Sequence, residues 1–192
     1  MSWTARNGYL TQAEMEGNAR EIASYARNEG WSQTALAAIL GNMEAESGIN
    51  PGLWQFGFTP YDPSAGYGLV QWTPYTNLSD WATLEGLTWE DDGDTQLKRI
   101  SYEAANGLQW GNNIELGISP PISFADFLVD DNYTLDDMSD MWAMFYERPA
   151  NVLSVLQTRR DNSAYWYNFI GVYGIPYWLL FKFRKRLRGD WI

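Results

Sequence analysis

The sequence predicts a mainly α-helical domain of six or seven helices with one small β-hairpin beside a cleft. Three observations predict it. Apolar residues recur at three- and four-residue spacing in segment after segment. Most of these segments open at a Ser, Thr or Asp, and several close at a glycine. Only residues 67–72, after a long loop rich in Gly, Pro and aromatics, read as a strand or hairpin arm. With 192 residues, 45% of them hydrophobic and 16% aromatic, the chain suits one domain with a sizeable core.

Taken in order, residues 1–10 read as an irregular lead-in. Thr11 with Glu14 forms a capping box, and Met15, Ala19, Ile22 and Ala26 share one helix face up to Gly30. Ser32 caps a second helix with the stripe Leu36, Ile39, Leu40 and Met43, which Gly48 and Pro51 end. Residues 49–66 form the loop. Thr73 and Pro74 predict the cap and first residue of a third helix bearing Leu78, Trp81 and Leu84. Asp94 is expected to cap a fourth, with Leu97, Ile100, Ala104 and Leu108. Ser123 opens a short helix through Leu128. Thr134 with Asp137 opens another with Leu135, Met138, Trp142 and Phe145, and an aromatic helix follows around 164–169.

Composition removes whole classes of chemistry. There is no cysteine and no histidine, so thiol nucleophiles, Ser-His triads and Cys/His zinc sites are excluded, and carboxylates must carry any proton transfer. Asp91, Asp92 and Asp94 lack the spacing of an EF-hand loop and read as a solvated turn. No metal and no cofactor is expected. A net charge of −11 argues against nucleic acid as a partner. The N-terminus shows no signal-peptide pattern, and the apolar run 169–181 is too short for a membrane-spanning helix.

Residues 41–55 concentrate the candidate chemistry. Glu44 and Glu46 both lie in the last turn of the second helix. On a helical wheel Glu46 falls about 20° from Ile39, at the edge of the apolar stripe. Partial burial and the negative end of the helix both favour a protonated carboxyl, the form a general acid needs. Glu44 shares the second effect and less of the first.

The run Glu46-Ser47-Gly48-Ile49-Asn50-Pro51, then Gly66-Tyr67-Gly68-Leu69-Val70-Gln71-Trp72, then Tyr146-Glu147-Arg148-Pro149, resembles the phage tail lysozymes. These are tail-tip enzymes of the lysozyme superfamily, similar to goose-type lysozymes and lytic transglycosylases. The likeness covers roughly residues 9–170. It implies a lysozyme-like α+β fold and cleavage of the glycan strand of peptidoglycan between N-acetylmuramic acid and N-acetylglucosamine. Glu46 matches the catalytic acid. Ser47 would fix the turn or the acid's carboxylate, Gly66 and Gly68 would let backbone approach the sugars, and Gln71 would hydrogen-bond them. Trp54, Tyr67, Trp72 and the loop aromatics are expected to line the cleft, with Tyr146, Glu147 and Arg148 close by. Asp62 and Glu147 are the candidates for a second carboxylate. Hydrolysis and transglycosylation both stay open.

Two units are expected, a catalytic domain over 1–170 and an apolar, basic tail over 171–192. Residues 181–192 hold five of the 13 Lys and Arg. The tail either docks the enzyme onto other phage tail proteins or touches an anionic bacterial surface. The expected location is the virion. A glycan-binding tail component without activity, and a host-lysis endolysin, are the rival readings.

Overall fold

A computed structural model describes residues 3–173. Among them are seven α-helices: α1 Gln12–Glu29, α2 Gln33–Ser47, α3 Thr76–Leu84, α4 Gly93–Asn106, α5 Phe124–Val129, α6 Leu135–Met141 and α7 Leu156–Tyr173. The mainly helical expectation holds. Helix α7 runs through residue 170, the expected domain boundary, and the tail reading falls outside the described residues from 174 onward. No described helix is long and apolar enough to cross a membrane.

Helix starts follow the local rules where a side chain can reach the first free amides. Thr11 and Glu14 form their capping box, as do Thr134 and Asp137, and Ser32 and Ser123 cap α2 and α5. Two starts differ from expectation. The Thr73 hydroxyl donates to the Gln71 carbonyl at 2.8 Å, so it is not turned to cap α3, which begins at Thr76 with no side-chain cap. Asp92, not Asp94, caps α4 by accepting from the amides of Asp94 and Thr95, and Gly107 closes that helix before Leu108. The acidic turn is therefore structural: Asp91 accepts from the Tyr67 hydroxyl and Asp94 from the Trp3 indole N–H.

Helix α2 is the axis of the molecule. Its expected one-sided stripe is in fact buried all round: Ala35, Ala37, Ala38, Gly41 and Asn42 are as enclosed as Leu36, Ile39, Leu40 and Met43. Helices α5, α6 and α7 pack on it with α1. The crossing with α7 is so close that a Cβ on Gly41 would sit 2.5 Å from the Ser163 backbone nitrogen. Past its half-buried first residues, α2 next meets solvent in its last turn, where Ala45 is exposed and Glu44 and Glu46 are half-buried.

The expected hairpin is not a strand ladder. Tyr67 makes single antiparallel bridges to Trp54 and to Trp72, closed by a tight turn with left-handed Gly68 (φ 82°) and Gln71 (φ 49°). Side chains satisfy the turn's backbone where a second strand otherwise would. Gln96 accepts from the Leu69 amide at 2.8 Å, and the Ser47 hydroxyl donates to the Leu69 carbonyl at 2.9 Å. Helix α6 also departs from a simple α-helix. It widens into a π-helical turn over Trp142–Glu147, which buries Trp142, Ala143, Phe145 and Tyr146 together and ends at left-handed Arg148. Such turns recur at functional sites.

Candidate active site

The C-terminal end of α2, the turn at residues 70–73, the loop at 53–58 and residues Tyr146 to Pro149 at the end of the π-turn enclose a cleft of about 910 Å³. Residues 7–9 of the lead-in close one side, pinned there by the Asn50 side chain, which donates to the carbonyls of Arg6 and Gly8 at 2.8 Å each. Glu46 and Glu147 both line this cleft. Glu44 does not: its carboxylate accepts from the Trp166 indole N–H at 2.7 Å, toward α7. The two last-turn glutamates are thus separated by direction, one to the cleft and one to the core.

Glu46 keeps 21% of its side chain exposed and is ion-paired with the buried Arg159 guanidinium of α7. Arg159 also donates to the Asn42 side chain at 2.8 Å. Glu147 accepts from the Trp142 indole N–H at 2.8 Å. Burial, and then the nearby charge of Glu46, push the Glu147 carboxyl well above the ordinary glutamate range, against the pull of Arg159. The site therefore holds a glutamate paired with an arginine beside a second carboxyl that resists ionisation. The side of α2 that carries Glu46 meets the Arg159 guanidinium of α7.

A stability consequence follows from Glu147. In the unfolded chain it titrates near the ordinary value of about 4.3, whereas the folded protein keeps the proton to higher pH. Its contribution is fully present below the unfolded value and is lost as pH rises through the raised folded value. Glu147→Gln retains an acceptor for Trp142 and removes this loss. Its melting temperature should rise relative to wild type as pH is raised from about 4 to 8. Thermal melts across that range check it; a constant difference refutes the assignment. Part of the wild-type decline remains in the variant, because burial also raises Glu103.

The other expected site residues divide into two groups. Gln71 lines the cleft, with its amide nitrogen donating to the carbonyls of Leu53 and Gly68 at 3.0 Å. Arg148 lines it too, though its guanidinium is engaged on the carbonyls of Gln109 and Phe145. Trp54, Trp72 and Tyr146 contribute only edges, with Trp54 7% and Trp72 4% exposed. Trp54 packs on Tyr67 and Tyr75, and Tyr146 stacks on Trp142 at 4.1 Å. The second group stands behind the wall. Ser47 is buried, bonding turn to helix and not the acid's carboxylate. Tyr67 is buried on Asp91. Gly66 and Gly68 make close approaches to protein: added Cβ atoms would meet Thr73 Oγ1 at 2.7 Å and Gln96 Oε1 at 2.5 Å. Asp62 is outside the cleft lining, and its carboxylate accepts from the amide and hydroxyl of Ser64, which hold it below the usual range.

Sequence reasoning passed over Arg159, Glu103 and the rim ring of Tyr9, while the loop aromatics Phe56 and Phe58 line the cleft as expected. Leu156, Arg159, Ser163, Trp166 and Ile170 form the buried face of α7 at helical spacing. A lone arginine in such a stripe signals a buried charge in need of a partner. Glu103 similarly stands beside Ile100 and Ala104 on the buried face of α4.

The family described as phage tail lysozyme matches residues 17–170. Morphogenesis protein 1 of Bacillus phage B103 is 37% identical over 163 residues, which cover 85% of this chain and 42% of that protein. The chain belongs to the phage tail lysozyme family. It spans less than half the length of that curated relative.

Proposed function

We propose that the protein is a virion-associated glycosidase that cuts the glycan strand of peptidoglycan, between N-acetylmuramic acid and N-acetylglucosamine, as a phage tail crosses the cell wall. The observation that carries this reading is the presence of two glutamates of unlike environment in one cleft: Glu46 on Arg159, Glu147 half-buried on Trp142. Pairs pushed apart in this way supply an acid and an anion at the same pH. Glu147 is assigned the store of the proton: it passes the proton to Glu46, which gives it to the glycosidic oxygen, and the proton released by the attacking hydroxyl, of water or of the sugar itself, returns to the pair. The carboxylate left behind steadies positive charge at the anomeric carbon. Gln71, whose amide nitrogen is held by the wall, offers its oxygen to a substrate N–H.

Purified peptidoglycan incubated with the protein tests the reading. New reducing ends mark hydrolysis, and 1,6-anhydro-muramic products mark transglycosylation. Protein that pellets with the wall and releases neither overturns the catalytic reading.

Sugar contact is assigned to the rim. Trp54 and Trp72 are too enclosed to stack, whereas Tyr9 and Phe56 line the cleft at 82% and 91% exposure, with Phe58 beside them. An aromatic face left in water next to a cleft suits an amphipathic sugar ring. The double variant Phe56→Ala, Phe58→Ala should weaken pelleting with peptidoglycan by about three- to tenfold, in line with roughly 0.5–1.5 kcal/mol for a ring contact. Unchanged pelleting removes the two phenylalanines from the substrate path.

A further inference from the structure

Glu103 of α4 lies outside the cleft and is 1% exposed, yet it is bonded to both of the cleft's walls. One carboxylate oxygen accepts from the Trp72 indole N–H at 3.0 Å and from Arg99 Nε at 2.8 Å. The other accepts from the Tyr146 hydroxyl at 2.6 Å. Trp72 immediately follows Gln71 in the glycine-rich turn, and Tyr146 immediately precedes Glu147 in the π-turn. These two segments are 74 residues apart in the chain and have no ladder between them.

A core position would ordinarily be filled by an apolar side chain. Burying a carboxylate there is costly unless it is paired and hydrogen-bonded, and here three donors from three elements converge on it. Arg99, one turn away on α4 and itself held over the rings of Trp81 and Tyr102, supplies the compensating charge. We propose that Glu103 is a positioning residue that clamps Trp72 to Tyr146, and so holds the substrate-binding Gln71 and the carboxyl pair Glu46 and Glu147 at a set separation. This rests on the glycosidase reading above.

Glu103 also acts through its charge. The groups facing Glu147 are Glu46 from α2, Arg159 from α7, Glu103 from α4 and the Trp142 indole of its own π-turn. Those facing Glu103 are Arg99, Trp72 and Tyr146. Replacing Glu103 by a neutral isostere removes a negative charge that raises Glu147, so Glu147 should ionise at lower pH.

The experiment is Glu103→Gln in the full chain, beside Tyr146→Phe, which keeps the ring stacked on Trp142 and removes one arm of the clamp. Three readouts are taken: release of reducing ends or anhydro-sugars from peptidoglycan against pH, the ¹⁵N–¹H signal of the Trp72 indole, and the ¹³C carboxyl titration of Glu147. Glu103→Gln should lose about ten- to a hundredfold in turnover, the scale of an ångström-level misplacement, while pelleting with peptidoglycan changes less than twofold. Its Glu147 midpoint and the alkaline limb of its pH profile should both move to lower pH, and the Trp72 signal should shift. Tyr146→Phe should lose less turnover and leave the Trp72 bond in place. A folded Glu103→Gln with wild-type turnover and an unmoved Glu147 midpoint overturns the clamp. If Glu103→Gln does not fold, Tyr146→Phe decides by the same turnover and titration readouts. If wild type releases no product, the glycosidase reading falls, and the Trp72 signal and Glu147 titration still decide whether Glu103 joins the walls.

Discussion

Glu46→Gln is expected to lower glycan cleavage by roughly 10²–10⁴-fold, the usual weight of a positioned general acid, with binding to peptidoglycan retained. The amide keeps an oxygen for Arg159 to donate to, so the contact between α2 and α7 becomes a neutral hydrogen bond and is not left open. What disappears is the group that gives its proton to the leaving oxygen. Glu44→Gln is the matched control. It sits in the same helical turn, but its carboxylate is spent on the Trp166 indole N–H and is turned from the cleft. That variant should keep cleavage within about twofold, as for substitutions away from a site. A Glu46→Gln protein that releases product at the wild-type rate removes Glu46 from the chemistry.

The second large effect is expected from Arg159→Leu, in stability and in pH dependence together. Arg159 is buried, and its removal leaves Glu46 without its cation and the Asn42 oxygen without a donor. Breaking one side of a fully buried pair costs roughly 3–5 kcal/mol. Glu46 retains contact with water, which lowers the figure here to about 2–3 kcal/mol, or about 5–10 °C in melting temperature for a chain of this size. The pH effect has a definite sign. Arg159 draws Glu147 downward, so without it Glu147 holds its proton to still higher pH. Cleavage that depends on that proton should then extend to more alkaline conditions, even as its maximum falls. Melting curves and a pH–rate profile, taken below the variant's melting temperature, check both. A stable variant with an unshifted profile shows that Arg159 neither supports the helix junction nor tunes the pair.

The two glutamates of α2 show where reading by local pattern stops. The helical wheel ranked Glu46 over Glu44 by distance from an apolar stripe, and Glu46 does reach the cleft while Glu44 does not. The one-sided stripe behind that ranking is not what the fold shows: the middle of α2 is enclosed on all sides and its cleft-facing turn meets a guanidinium. Glu147, named only as an alternative second carboxylate, is the carboxyl that burial pushes well above the ordinary range. Asp62, the other alternative, is occupied in its own turn with Ser64. Likewise Gly66 and Gly68 were expected to admit sugar, and instead admit Thr73 and Gln96.

By itself the sequence determined the helical class, most of the helix starts and ends, and the confinement of chemistry to carboxylates. Caps act within three or four residues, and the lack of histidine and cysteine holds in any fold. Tertiary structure alone decided the partners of those carboxylates. Arg159 meets Glu46 across 113 positions, and Glu103 gathers Trp72 and Tyr146 from 31 and 43 positions away. No local rule relates residues so distant. What a carboxylate can do depends on the charge and water around it, and both are set by which helices pack against its own.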